Sequence, residues 1–301
     1  MAKLKCTQMN FSIAKKVFTF IFTLSVFFSL ISISCTKKTK SDDNGVVFDS
    51  IQVNETKSIV YKGSNLNCNL HILFNFPTAC KKTSSLSDLQ KIFIEKAFPS
   101  QYANLSPKVA ADSFAMQYIK DFQAVKWSDY FDKTNDSDSD DDDYILEDEN
   151  SFIYELSLEN TILYNKDNFI SFVVKNTNYE GGAHGSNSIY GYVIDLNTGK
   201  LLTEDDFSGN NYKKNLSAVL VKKIMAAKGL TDASQLEDSG YKIEDIAPNG
   251  NFTIDDKGIT YYFNEYEIAA YFVGITEVFI PYEELKTYIT DDNPVSSLVK
   301  P

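Results

Sequence analysis

His184 is the side chain best equipped for chemistry in this 301-residue sequence, which contains only two histidines. It stands in Tyr179-Glu180-Gly181-Gly182-Ala183-His184-Gly185, a glycine-dense segment between two β-rich runs. An imidazole can act as a general base near neutral pH, and Glu180 or Asp205 is the carboxylate that could orient it. The glycines would let a ligand approach the backbone. Gly181, Gly182 and Gly185 equally suit the positive-φ positions of a tight connection. No second histidine lies near, and no Gly-x-Ser-x-Gly elbow occurs. A pair of carboxylates at glycosidase spacing stays open, because the chain carries 41 acids. A strand-to-strand connection, with His184 packed inside it, explains the segment more simply than catalysis. Should a ligand use it, the residues to meet that ligand are Tyr179, Glu180, Gly181, Gly182, His184 and Gly185. The aromatic segment from Tyr266 to Phe272, with Tyr266 and Tyr271, is the second place to look.

Metal chemistry has one candidate. Asp136, Asp138, Asp140 and Glu147 fall at positions 1, 3, 5 and 12 of a calcium loop. Position 6, where such a loop needs glycine for its sharp turn, is Asp141, and the apolar position 8 is Asp143. The run Asp136–Glu149 holds nine acids and no base, so it reads as a solvated linker or insertion over residues 134–150. Asp195, Asn197 and Gly199 fit a hairpin turn better than a metal loop, since Asn and Gly tolerate positive φ. His71 sits on the polar side of an alternating strand and lacks a second ligand. Nothing in the sequence calls for a cofactor.

All 29 basic residues are lysine, so bidentate guanidinium clamps on carboxylate or phosphate are excluded. With a net charge of −12, the chain does not suit nucleic acid, whose binding needs cations facing phosphates. The amino terminus is an address. Lysines precede an apolar run from Val17 to Ile33, which ends at Ile31-Ser32-Ile33-Ser34-Cys35. That layout predicts a lipoprotein signal peptide over residues 1–34, lipidation at Cys35 and a polar tether over 35–50. An uncleaved membrane anchor is the alternative. Cleavage removes four lysines and no acids, which takes the net charge from −12 to −16. The protein is thus expected in the cell envelope, lipid-anchored, with the outer membrane the favoured location. Two cysteines, Cys68 and Cys80, remain in the exported part and predict one disulfide, worth roughly 2–3 kcal/mol for a loop of that size. Two free thiols are the alternative.

The elements that must position these residues alternate between blocks. Thr56–Tyr61 and Leu66–Phe76 read as strands. Helices follow, one with Leu86, Leu89, Ile92, Phe93 and Ala97 on a stripe, and one opened by Ser106-Pro107 with Val109, Ala110, Phe114, Tyr118 and Phe122 inward. Phe152–Tyr164, Phe169–Asn176 and Ile189–Leu196 follow as strands. A helix with Leu216, Leu220 and Ile224 inward stops at Gly229. A hairpin around Asp255–Gly258, a strand at Val278–Ile280 and a helix from Pro281 through Tyr288 complete the chain. Strands and helices in blocks predict an α+β fold. Its two modules, residues 51–133 and 151–290, each have a mainly antiparallel sheet with packed helices, and residues 291–301 form a tail.

Tyr179-Glu-Gly-Gly-Ala-His-Gly185, Asp195-Leu-Asn-Thr-Gly-Lys200, Leu202-Thr-Glu-Asp-Asp206, Gly258-Ile-Thr-Tyr-Tyr-Phe-Asn264, Tyr266-Glu-Ile-Ala269 and Val278-Phe-Ile-Pro281-Tyr-Glu-Glu-Leu285 resemble the RsiV-type C-terminal domain. That domain occurs in an anti-sigma factor that receives lysozyme, beside a smaller N-terminal α/β domain. The same pair precedes the catalytic domain of a peptidoglycan deacetylase and occurs in free-standing Bacteroidetes lipoproteins. The short segment before the apolar run leaves no sigma-binding part and no deacetylase segment follows, so neither activity is expected. The resemblance implies a non-catalytic envelope lipoprotein that binds a glycan, a peptidoglycan fragment or a lysozyme-like protein. A hydrolase of envelope polymers and a structural partner in an envelope complex are the alternatives.

Overall fold

The computed structural model describes residues 44–81, 85–128, 151–181, 183–207, 212–289 and 293–299. Cys35, Gly182 and the calcium candidates Asp136, Asp138, Asp140 and Glu147 lie outside the described residues. Strand β1 (Val47–Tyr61) turns at Lys62-Gly63 into β2 (Ser64–Ala79). Both turn residues have positive φ, 49° and 91°, the twist that lets a two-residue loop join paired strands. Along β2, Leu66, Cys68, Leu70, Ile72 and Phe74 are buried on one side. Helices α1 (Leu86–Ala97) and α2 (Pro107–Ala124) cover that side.

Leu89, Phe93, Ile94 and Ala97 supply the inward stripe of α1. Ser85 and Ser106 hold the N-cap positions of the two helices, yet neither hydroxyl bonds its helix. The Ser85 hydroxyl instead meets that of Ser87 at 2.6 Å. Val109, expected inward, is 48% exposed. The inward face of α2 is made instead by Ala110, Ala111, Ala115 and Phe122, whose alanines let the helix lie close to the sheet.

Next come β3 (Ser151–Lys166), β4 (Phe169–Tyr179), β5 (Ser186–Asp195) and the two-residue β6 (Lys200–Leu201). β3 pairs with β2 in parallel, from Asn65↔Ser151 to Leu73↔Glu159. Parallel neighbours need a crossover, and α1 and α2 lie within it. The result is one six-stranded sheet in the order β1-β2-β3-β4-β5-β6. This corrects the expected boundary between residues 133 and 151, because the two halves share a sheet there. Two sheets with their own helices remain, so the fold is α+β.

The second sheet, β7 (Phe252–Ile254), β8 (Gly258–Phe263) and β9 (Thr276–Pro281), is antiparallel throughout. Helix α3 (Tyr212–Ala227) packs Leu216, Leu220 and Ile224 into one core with Ile259, Tyr261, Phe263 and Ile280. Short helices α4 (Ser234–Asp238) and α5 (Tyr282–Leu285) add Leu236 and Leu285. The last helix is thus one turn long rather than continuous to Tyr288. This second core takes Phe169 and Val193 from the side of the large sheet opposite α1 and α2. The other side of β4 holds Ile170, Phe172 and Val174, where Phe172 stacks on Phe93 at 4.2 Å. The two cores therefore press on opposite faces of β4 and β5.

Cys68 and Cys80 are free thiols, so the predicted disulfide is not formed. The reason is topological. β2 runs unbroken between them, and twelve residues of extended chain span on the order of 40 Å, against the roughly 6 Å a bridge requires. Burial, then the Glu180 carboxylate, push the Cys68 thiol up to about 11.

Two outcomes follow from the packing. Reducing agent leaves the urea midpoint unchanged, and at pH 8 an alkylating reagent labels Cys80 while protonated, buried Cys68 reacts only on unfolding, as peptide mass mapping would show. A Cβ at Gly191 would lie 2.7 Å from the carbonyl carbon and oxygen of Phe252, where the two sheets meet. Gly191→Ala should therefore destabilise the protein by roughly 1–3 kcal/mol, read as a lowered denaturant midpoint.

Candidate binding site

From Asn187 to Gly191, the side of β5 facing away from β4 has no strand partner among the described residues. Its peptide groups would be orphaned there. Three side chains from the second sheet and its loops satisfy them. Asn251 Oδ1 accepts the Gly191 N–H at 2.6 Å, and Asn251 Nδ2 donates to the Ile189 carbonyl at 2.8 Å. Asn264 Oδ1 accepts the Ile189 N–H at 2.8 Å. Glu265 accepts from the Asn187 N–H at 3.1 Å and from Asn187 Nδ2 at 3.0 Å. Glu267 in turn accepts from the Asn264 N–H at 2.8 Å, which fixes the start of the loop.

This latching sets the aromatic segment against the glycine–histidine connection. Tyr266 adopts φ 65° and stands 62% exposed, while Ile268 and Ala269 are buried in the second core. The Tyr271 ring stacks on His184 with centroids 4.0 Å apart and planes 24° from parallel. Tyr266 lies beside Tyr271 at 5.5 Å, and its hydroxyl is 3.5 Å from His184 Nε2. One oxygen organises the group. The Gly185 carbonyl accepts the Tyr271 hydroxyl at 3.0 Å and lies 3.0 Å from His184 Nδ1. The carbonyl can only accept, so Nδ1 carries the proton and Nε2 is the nitrogen turned to Tyr266. Gly181 holds the expected positive φ, 86°, but Gly185 does not; a Cβ at Gly185 would approach the Asn178 carbonyl to 3.0 Å, a close fit rather than a turn requirement. Phe272 extends the aromatic surface at 77% exposure, its ring lying over Gly240.

The two places expected from sequence are thus one site. The proposed carboxylate partners are elsewhere. Glu180 faces the Tyr118 hydroxyl and the Cys68 thiol, and burial followed by that carboxylate pushes the Tyr118 phenol up. Asp205 lines a separate cleft with Lys96, Glu204 and Gly250. Tyr179 ends β4, half-buried and opposite Glu155 in register. His184 has contacts with Gly185, Tyr266 and Tyr271 rather than an acid, so the general-base reading loses its dyad. Among the described residues, no three His, Cys, Asp or Glu side chains converge as metal ligands would. Asn251, Asn264 and Glu265 carry the site's geometry but have no sequence signature, since a strand edge is visible only once the strands are placed.

The fold defines an α+β protein in which two sheets share a junction, and the aromatic site lies at that junction. Residues 201–283 match the family described as "Protein of unknown function (DUF3298)", and residues 87–187 match the one described as "Deacetylase PdaC". A crystal structure of a DUF3298 family member from Bacteroides fragilis is similar, with 30% identity, a TM-score of 0.72, and coverage of 85% of this chain and 98% of that one. The chain belongs to the DUF3298 family. A DUF3298 protein from Pseudomonas aeruginosa is 13% identical, with a TM-score of 0.48 over 81% of this chain and 94% of that one. No curated protein matches the sequence. His184 lies in the segment matching PdaC, and Tyr266 and Tyr271 in the segment matching DUF3298.

Removing the latch should release the loop. Asn264→Ala leaves the N–H of buried Ile189 without its acceptor and should cost roughly 1–3 kcal/mol, seen as a lower denaturant midpoint and faster hydrogen exchange at Ile189. Unchanged exchange at that amide would mean that the side chain does not hold the edge.

Proposed function

We propose that this chain is a lipid-anchored binding protein of the cell envelope, and that its ligand is a glycan held on the His184–Tyr271–Tyr266 stack. The observation that carries this reading is the stack itself: three rings, two of them nearly parallel, held open to solvent by a backbone-anchored connection. A pyranose presents one flat C–H face, which suits an aromatic face, and hydroxyl groups that suit polar atoms at the rim. Glu265 and the Tyr266 hydroxyl supply that rim. The match to a family named for a deacetylase supports an acetylated glycan as the ligand class. The resemblance to RsiV-type domains supports the envelope setting. The hydrolase alternative is disfavoured because Glu180 and Asp205 are directed elsewhere.

A second reading rests on charge. At −12, the chain suits a cationic protein partner such as a lysozyme-like enzyme. The two readings separate in calorimetry. Glycan binding is insensitive to salt, and should fall about tenfold in Tyr266→Ala or Tyr271→Ala if each ring contributes on the order of 1–1.5 kcal/mol. Binding of lysozyme that vanishes at high salt and ignores both tyrosines would favour the second reading. If N-acetylated oligosaccharides do not bind at all, the first is lost. For the anchor, Cys35→Ser should move the protein from the membrane fraction to the soluble one and abolish labelling by radioactive palmitate.

A further inference from the structure

The large sheet is covered on one face by α1 and α2, while the second core covers the β4–β5 part of its other face and, at Tyr164, the end of β3. Across β1, β2 and the Glu155–Glu159 stretch of β3 that other face is open, and its composition is unusual. Following the register strand by strand, Asn54 lies opposite His71, His71 opposite Ser157, Ser157 opposite Thr177, and Thr177 opposite Asn187. Five adjacent strands thus present one continuous polar row with no apolar member. Four strand steps of about 4.8 Å make it roughly 19 Å long. The side chains are tied to each other and so pre-aligned. His71 Nδ1 is 2.6 Å from Asn54 Oδ1, and Thr177 donates to Asn187 Oδ1 at 3.0 Å. A neighbouring cross-strand pair, Thr56 to Asn69 at 3.3 Å, runs alongside. The β1–β4 part of this surface is a groove of about 420 Å³.

The row does not end in solvent. Asn187, its last member, donates to Glu265, and Glu265 adjoins Tyr266 in the aromatic stack. We infer that the open face of the sheet is the floor of an elongated glycan site, with the aromatic stack as its end. This rests on the glycan reading above and extends it from one ring-stacking position to a chain of several pyranose units. Two observations commit the occupant to a neutral or amino-bearing glycan. The floor offers hydroxyl, carboxamide and imidazole groups, which match sugar hydroxyls and N-acetyl amides. Among the described residues of this face, Glu155 and Glu159, the latter 3.4 Å from His71 Nε2, stand against the Lys175 ammonium, which repels uronic or sulfated chains.

Calorimetry of the full-length protein with chitobiose, chitohexaose and hexagalacturonate tests this. Chitohexaose should bind at least tenfold tighter than chitobiose, and hexagalacturonate should not bind. The double variant N54A/H71A, at the far end of the row, should reduce chitohexaose to chitobiose affinity and leave chitobiose itself unchanged. That unchanged value also shows that the variant is folded. Ser157→Ala, a smaller change in mid-row, should give an intermediate loss. Equal affinity for the two chitin oligomers would overturn the groove while leaving the aromatic reading intact. Chitohexaose binding lost in N54A/H71A but kept in Tyr266→Ala would uphold the groove and overturn the aromatic end. No binding of either oligomer overturns both, and tight binding of hexagalacturonate overturns the assignment to neutral or amino glycans.

Discussion

The structure depends on carboxamide and carboxylate side chains standing in for strands that are not there. β5 has a bare edge where the second core must dock, and a bare edge with buried peptide groups is costly. Asn251 and Asn264 solve this with the donor and acceptor geometry of a peptide bond carried on a side chain, and Glu265 completes the row. The same device recurs. Asn160, fully buried, accepts from the Asn75 N–H and donates to its carbonyl, continuing β2–β3 pairing past the last parallel pair. Asn44, also buried, accepts from the Asn168 N–H and donates to the Phe169 carbonyl at the β3–β4 turn. Without the latches on β5, Tyr266 and Tyr271 would not be carried to His184.

Much of the fold was legible from local chemistry. The alternation in Leu66–Phe74, the stripe in α1 and the glycine that ends the turn after Asp195 are each set by a few neighbouring residues, and each appears as expected. What was not legible was non-local. Nothing in β2 or β3 announces that they pair in parallel across the acidic run, so a module boundary was expected where a sheet is continuous. The expected disulfide failed for a related reason. Cysteine spacing implies a loop only if the chain turns back, and here it stays extended. The site shows the same division. His184, its glycines and the aromatic segment were each recognisable as distinctive, but their contact depends on latches 60 to 78 positions distant in sequence.

Glu180 illustrates how a strand's end sorts its residues. It follows Tyr179 directly, yet its carboxylate serves the Tyr118–Cys68 side, while His184, four positions on, joins the aromatic loop. The intervening Gly181 at φ 86° lets the chain change direction within so few residues. A histidine and an acid close in sequence therefore belong to different neighbourhoods, one in an aromatic stack and the other beside Tyr118 and Cys68.

The parallel pairing of β2 with β3 also shapes how the chain reaches its native state. Asn75 and Asn160 are 85 positions apart, whereas β1–β2 and β3–β4 are hairpins closed by two residues. Hairpins and helices can form early, but the seam between β2 and β3 must wait for distant segments to meet, and such high contact order slows folding. Until then β2 displays an unpaired central-strand edge. A newly made chain carrying that edge is most exposed to mispairing in the interval before the seam closes.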